Sequence, residues 1–161
     1  MVAPALAIEA VGRKTPPGIL AGIVGIEKKA FPKHESLVDY IMKEATTTGN
    51  TFLVALDGDD VVGYVLFSRN SVCGHIGKLA VAAHRRRQGI GRHLMQVAIQ
   101  RMRSAMCISL HVGVERDYAF ALYASLGFTV QHTRKDYYKV GRDAHFMELQ
   151  ADNFAAALAS N

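Results

Sequence analysis

The chain has 161 residues, half of them apolar, and a formal net charge of +5 at neutral pH. That length suits one ordinary domain with a proper core, and the lack of low-complexity tracts excludes a disordered chain. The positive balance favours phosphate-bearing ligands, yet beyond Arg85–Arg87 the cations are scattered and no aromatics interleave with them, so nucleic acid is not the expected partner.

The two cysteines, Cys73 and Cys107, match neither a metal-ligand spacing nor a disulfide framework. They read as reduced core or near-core thiols, which suits a cytoplasmic or nuclear setting, and no metal is expected. No apolar run approaches the roughly 18 residues of a membrane span, so no membrane contact is expected. The N-terminus lacks a basic region followed by a long apolar core, which argues against a secretory signal; an organelle-targeting role for Met1–Lys14 stays open.

In chain order, Ala5–Val11 reads as a first strand ending at Gly12. Thr15 is the expected N-cap of a helix opened by Pro16-Pro17, with Ile19, Ile23, Ile26 and Ala30 at helical spacing. Gly18, Gly22 and Gly25 weaken that helix by about 1 kcal/mol each relative to alanine, so packing must compensate, and small residues permit a close neighbour. Phe31-Pro32 ends it, because the residue before proline avoids helical geometry. A second helix is expected after Ser36, carrying Leu37, Ile41, Met42 and Ala45 and stopping at Gly49-Asn50.

Thr51–Leu56 and Val61–Ser68 flank Asp57-Gly58-Asp59-Asp60, a hairpin signal, since Asp-Gly supports a tight turn. Val72–Ala83 completes an antiparallel meander that runs into the arginine cluster. The following helix places Ile90, Leu94, Val97, Ala98 and Met102 on one face. Met106–Val114 is the next strand, with Ile108, Leu110, Val112 and Val114 on one side and Cys107, Ser109, His111 and Gly113 on the other. Strand, long helix and strand imply a right-handed parallel crossover. Glu115–Leu126 reads as a helix ended by Gly127, and Phe128–Arg134 and Ala144–Leu149 as closing strands joined through Lys135–Asp143. One domain over residues 1–161 is expected, with 151–161 a peripheral, dispensable tail.

Between the third strand and its helix lies Arg85-Arg86-Arg87-Gln88-Gly89-Ile90-Gly91-Arg92. A helix start offers unpartnered N–H groups and a positive dipole end, and glycines let a ligand approach the backbone. A P-loop needs Gly-Lys-Ser/Thr, which is missing here, and a dinucleotide fold needs a third glycine where Leu94 stands. What remains is Arg86-x-x-Gly89-x-Gly91.

That signature resembles the acetyl-CoA loop of the GCN5-related N-acetyltransferase (GNAT) superfamily. Leu110-His111-Val112, Ala119, Tyr123, Gly127-Phe128 and Tyr137-Tyr138-Lys139 resemble protein Nα-acetyltransferases acting on Met-initiated N-termini, and the bacterial ribosomal-protein alanine acetylase type. The resemblance covers roughly Leu20 to Leu149 and implies an α/β fold. Its mixed, mostly antiparallel sheet would have about six or seven strands, flanked by helices, with a parallel unit at the coenzyme site.

The resemblance implies roles residue by residue. Backbone N–H groups of Arg87, Gln88, Gly89, Ile90 and Gly91 would hold the pyrophosphate, with Arg86, Arg87 and Arg92 nearby, and Leu79, Ala80 and Val81 would face the pantetheine arm. His111 would be the base and Tyr123 the acid for the departing thiolate. His75 stands where relatives often carry a tyrosine that assists through water, and Arg116 where they carry an asparagine touching the coenzyme. Phe31, Pro32, Tyr137 and Tyr138 would surround the acceptor's first residue, with His75 and His111 beside it. An α-amino group, of pKa ~8, suits a histidine base of pKa ~6.5 better than a lysine of pKa ~10.4 does. A protein N-terminus is therefore the expected acceptor, with an auxiliary subunit as a further expected partner. A lysine or small-molecule amine acceptor, or a non-catalytic coenzyme-binding module, are the alternatives.

Overall fold

In a computed structural model of the protein, residues 5–161 are described; the first residues of the Met1–Lys14 segment lie outside them. The strands form one seven-stranded sheet in the order β1-β2-β3-β4-β5-β7-β6, mostly antiparallel, with β4 and β5 parallel. They are β1 Ala7–Ala10, β2 Asn50–Asp57, β3 Asp60–Arg69, β4 Cys73–Val81, β5 Cys107–Gly113, β6 Thr129–Lys139 and β7 Arg142–Gln150. The helices are α1 Pro17–Ala30, α2 Ile41–Thr46, α3 Ile90–Arg101, α4 Asp117–Ser125 and α5 Phe154–Ala159. The chain groups into two compact units, one of residues up to Ser68 with Lys78–Met95, the other of Arg69–Gly77 with Gln96–Asn161.

In the first unit, Ile23 and Ile26 of α1 pack with Phe52 and Val54 of β2 and Tyr64 and Leu66 of β3. The weak helix former Gly22 is explained by this packing, since a Cβ there would stand 2.6 Å from a Val61 methyl. Thr15 does not cap α1. Its Oγ1 instead accepts the Gly12 N–H at 2.8 Å, and Pro16 takes the cap position. The second helix is shorter than its apolar spacing suggests. A 3-10 turn, Lys33–Glu35, precedes it, and α2 begins only at Ile41. The Leu37 N–H bonds the carboxylate of Glu27 on α1 at 2.8 Å and the Val38 N–H bonds the local Ser36 Oγ at 3.2 Å, so side-chain acceptors take amides that a longer helix would use. Asp57 and Asp60 pair at the hairpin turn, where Gly58 has φ +62°.

In the second unit, β5 buries Ile108, Leu110 and Val112 as alternation requires, while Val114 lies past the strand and is exposed. The β4–β5 ladder pairs Cys73–Ile76 with Cys107–Leu110; β4 itself continues to Val81. The closing strands are longer than their apolar runs. Lys135–Lys139 is strand rather than connection, but the ladder with β7 is interrupted between Arg134 and Lys139. Asp136 adopts φ +54° there, and its carboxylate accepts the Gly141 N–H at 2.7 Å. The tail is not loose: Phe154 and Ala157 are buried, and Gln96 Nε2 donates to the carbonyls of Ala157 at 3.0 Å and Ser160 at 2.8 Å.

Candidate active site

The first unit carries the glycine turn. Arg87 and Gly89 both lie in the left-handed region, φ +61° and +80°, so the chain reverses tightly before α3. At the start of α3 the His93 N–H donates to the Gly89 C=O at 2.9 Å. The N–H groups of Ile90 and Gly91 lie at the helix start, where backbone donors have no carbonyl one turn back within the helix. Arg85 is a strut: its Nε donates to Gln88 Oε1 at 3.0 Å and its Nη1 to Asp57 Oδ2 at 2.9 Å. Arg86, Arg87 and Gly89 are exposed beside it. A reversed, glycine-bearing turn under a twelve-residue helix start, flanked by cations, is chemically matched to a diphosphate. Leu79 and Val81 are half-buried and Ala80 is buried. The half-buried Phe31 ring carries the Lys78 ammonium over its face at 3.8 Å from the centroid.

The second unit brings together four of the expected residues. The His111 ring stacks on Tyr137, with centroids 4.3 Å apart and an interplanar angle of 10°, and Tyr137 meets Tyr138 edge-on at 4.9 Å. His75 lies edge-on to His111 at 5.8 Å. The ladder explains the assembly: His111 pairs with Phe146, and Phe146 with His132, forming one cross-strand row of rings. Two residues away on the same face, His75 pairs with Ser109, whose Oγ is 2.9 Å from His75 Nδ1. Ser109 and Phe146 are site residues the sequence reading did not single out. Alternation had put Ser109 on the His111 face, but the register of β7 has no local signal.

Burial, joined by the charges of His75, Arg134 and His132, pushes the His111 imidazole down to about 4. Its Nδ1 is buried and has no hydrogen-bond partner among the described residues. Burial also lowers His75. Both rings are therefore neutral acceptors at neutral pH. Tyr123 is buried on α4, and burial first, then Tyr138, raises its phenol, whereas Arg116 at the α4 cap opposes this. Tyr123 thus stays protonated and can act as an acid. The thiols of Cys73 and Cys107 lie 3.1 Å apart across the ladder, and the hydrogen bond to Cys73, then burial, pushes Cys107 up to about 12. A thiol so poorly ionised is no nucleophile at neutral pH.

Residues 20–128 match the family model of the acetyltransferase (GNAT) family. The chain is 32% identical over 139 residues to a Dictyostelium discoideum protein named N-terminal acetyltransferase complex ARD1 subunit homolog, a match spanning 82% of this chain and 68% of that one. It is 29% identical over 140 residues to an N-alpha-acetyltransferase of Sulfurisphaera tokodaii, covering 78% and 83% respectively. Among solved structures, the ribosomal-protein alanine N-acetyltransferase from Escherichia coli superposes with a TM-score of 0.75 at 22% identity, over 91% of this chain and 94% of that chain.

Proposed function

The chain belongs to the acetyltransferase (GNAT) family and is an acetyl-CoA-dependent N-acetyltransferase, and from that premise we propose that its acceptor is the α-amino group of protein N-termini. The observation that carries this reading is the 32% identity, over 82% of this chain, to a relative named as an N-terminal acetyltransferase subunit, beside a weakly basic His111 stacked on Tyr137. A weakly basic imidazole cannot strip a proton from an ammonium, whether a lysine's of pKa ~10.4 or an α-ammonium of pKa ~8. It can take the proton from an amine that binds neutral and turns acidic as its new bond forms. An α-amino group of pKa ~8 supplies an appreciable neutral fraction near pH 7; a lysine side chain supplies almost none. The names of the Dictyostelium and Sulfurisphaera relatives support the same acceptor.

In the first unit, the N–H groups of residues 87–91, with Arg86, Arg87 and Arg92, would hold the diphosphate of the coenzyme. The backbone of Leu79, Ala80 and Val81 would line its acyl arm. Phe31 and Pro32 would wall the acceptor's first side chain, and an apolar wall favours methionine followed by a hydrophobic residue. In the second unit, Tyr137 and Tyr138 would hold acceptor backbone, and Arg116 would contact the coenzyme.

The bound coenzyme supplies an activated acetyl thioester. In transfer from that thioester to the α-nitrogen, His111 would take the nitrogen's proton directly or through water, and Tyr123 would give its phenolic proton to the departing thiolate. His75 assists deprotonation. Transfer is a single displacement, without an acetylated side chain. We further propose that residues 1–161 work as one catalytic domain with 151–161 peripheral to catalysis, in the cytoplasm or nucleus, where a thiol pair stays reduced. An auxiliary subunit accords with the complex named in the Dictyostelium relative.

Initial-rate kinetics test the acceptor. A peptide beginning Met-Leu should turn over faster than an N-blocked peptide bearing a lysine; the reverse order would rule the assignment out.

A further inference from the structure

The ammonium of Lys78 is the centre of a buried knot that the chemistry above does not use. Its Nζ lies 3.2 Å from Oε2 of Glu27, a residue with no exposed surface. The same Nζ donates to the main-chain carbonyl of Glu35 and stands over the Phe31 ring. Glu27 accepts the Tyr64 hydroxyl on its other oxygen and the Leu37 N–H, at 2.8 Å, on the oxygen that faces Lys78.

A buried ion pair is weak evidence for stability, because apolar residues of similar volume often serve as well. Its directionality is the informative part. A cation over one face of an aromatic ring is attracted by the ring's negative face, and more strongly once desolvated. Lys78 thus orients the Phe31 ring and grips the carbonyl that ends the 3-10 turn, while Glu27 grips the amide two residues further on. One ion pair ties both ends of the stretch Phe31–Leu37. Lys78 also directly precedes Leu79–Val81, so the wall and the strand proposed to line the acyl arm share one anchor.

Resting on the reading that Phe31 walls the acceptor's first side chain, we infer that Lys78, locked by Glu27, is a specificity-determining positioning residue. It fixes the Phe31 ring and thereby the preference for a large apolar first residue.

The test compares Lys78→Met, Lys78→Arg, Phe31→Ala and the Lys78→Met/Phe31→Ala double variant on peptides beginning with methionine or alanine. Calorimetry follows acetyl-CoA binding in parallel. Lys78→Met should raise KM for the Met-Leu peptide about tenfold, the scale of a desolvated cation–π contact, and narrow its advantage over the alanine peptide. Acetyl-CoA affinity should hold, Lys78→Arg should restore most of the preference, and the double variant should be no worse than Phe31→Ala. An additive double variant, or equal losses on both peptides with weakened acetyl-CoA binding, overturns the inference. Should Lys78→Met fail to fold, Glu27→Gln, which removes the anchoring charge, is read by the same criteria. Phe31→Ala leaving preference intact would sink the acceptor-wall reading itself. A shifted preference in Phe31→Ala with none in Lys78→Met would sink this inference alone.

Discussion

His111 meets Tyr137 face to face, and that stacking helps to keep water from a ring whose protonation burial already disfavours. The sign of the resulting pH dependence follows. With the imidazole lowered to about 4, the base is neutral from pH 5 upward, so it contributes no ascending limb near ~6.5. The limb that remains belongs to the acceptor, whose ammonium must lose its proton. The pH profile of kcat/KM should therefore rise once, levelling above ~8, and the His111→Ala variant should keep that shape with kcat lower by about 10²–10⁴. A wild-type limb near ~6.5 that vanishes in His111→Ala would show a base of ordinary basicity. Strand alternation put His111 on the polar side of β5, whereas the proposed roles of His111 and Tyr123 came from the family resemblance alone. Their environment was not legible in the sequence, because His75, His132 and Arg134 reach His111 through pairing of distant strands.

The turn before α3 is the element proposed to hold the coenzyme's diphosphate. Gly89 sits at φ +80° with open space where a Cβ would stand, so the cost of a side chain there is conformational rather than steric. Gly89→Ala should cost about 1–2 kcal/mol in left-handed geometry, and much of it should appear as weaker acetyl-CoA binding, about tenfold by calorimetry. Unchanged affinity would remove the turn from the coenzyme site. This element was readable because its determinants are local: two glycines, a preceding strand and a periodic helix. The hairpin at Gly58 was readable for the same reason. The stretch around Tyr137 was not. Its sequence is polar and broken, and it is strand only because β7 pairs on either side of an interruption held by Asp136 and Asp143.

Across the whole molecule, element order and the mixed sheet were legible from alternation and turn chemistry, whereas registers and buried polar partners were not. Glu27 occurs in a helix between apolar positions with nothing nearby in sequence to mark it as buried; its partners Tyr64 and Lys78 lie 37 and 51 residues on. The tail shows the same limit. An alanine-rich end reads as dispensable, yet Phe154 and Ala157 are buried and Gln96 satisfies its last carbonyls. Phe154→Ala should cost about 3–5 kcal/mol in urea unfolding, the range for emptying a buried aromatic site. A loss under ~1 kcal/mol would instead support a dispensable tail.

Transfer to a protein α-amino group is the claim on which the acceptor-side roles depend. A peptide library varied at its first two residues, each member also carrying an internal lysine, can be incubated with labelled acetyl-CoA and sequenced by fragmentation. The account predicts label on the α-nitrogen, most rapidly in peptides beginning with methionine and a hydrophobic residue. Label on the lysine side chain, or on an added polyamine in preference to every peptide, would contradict it.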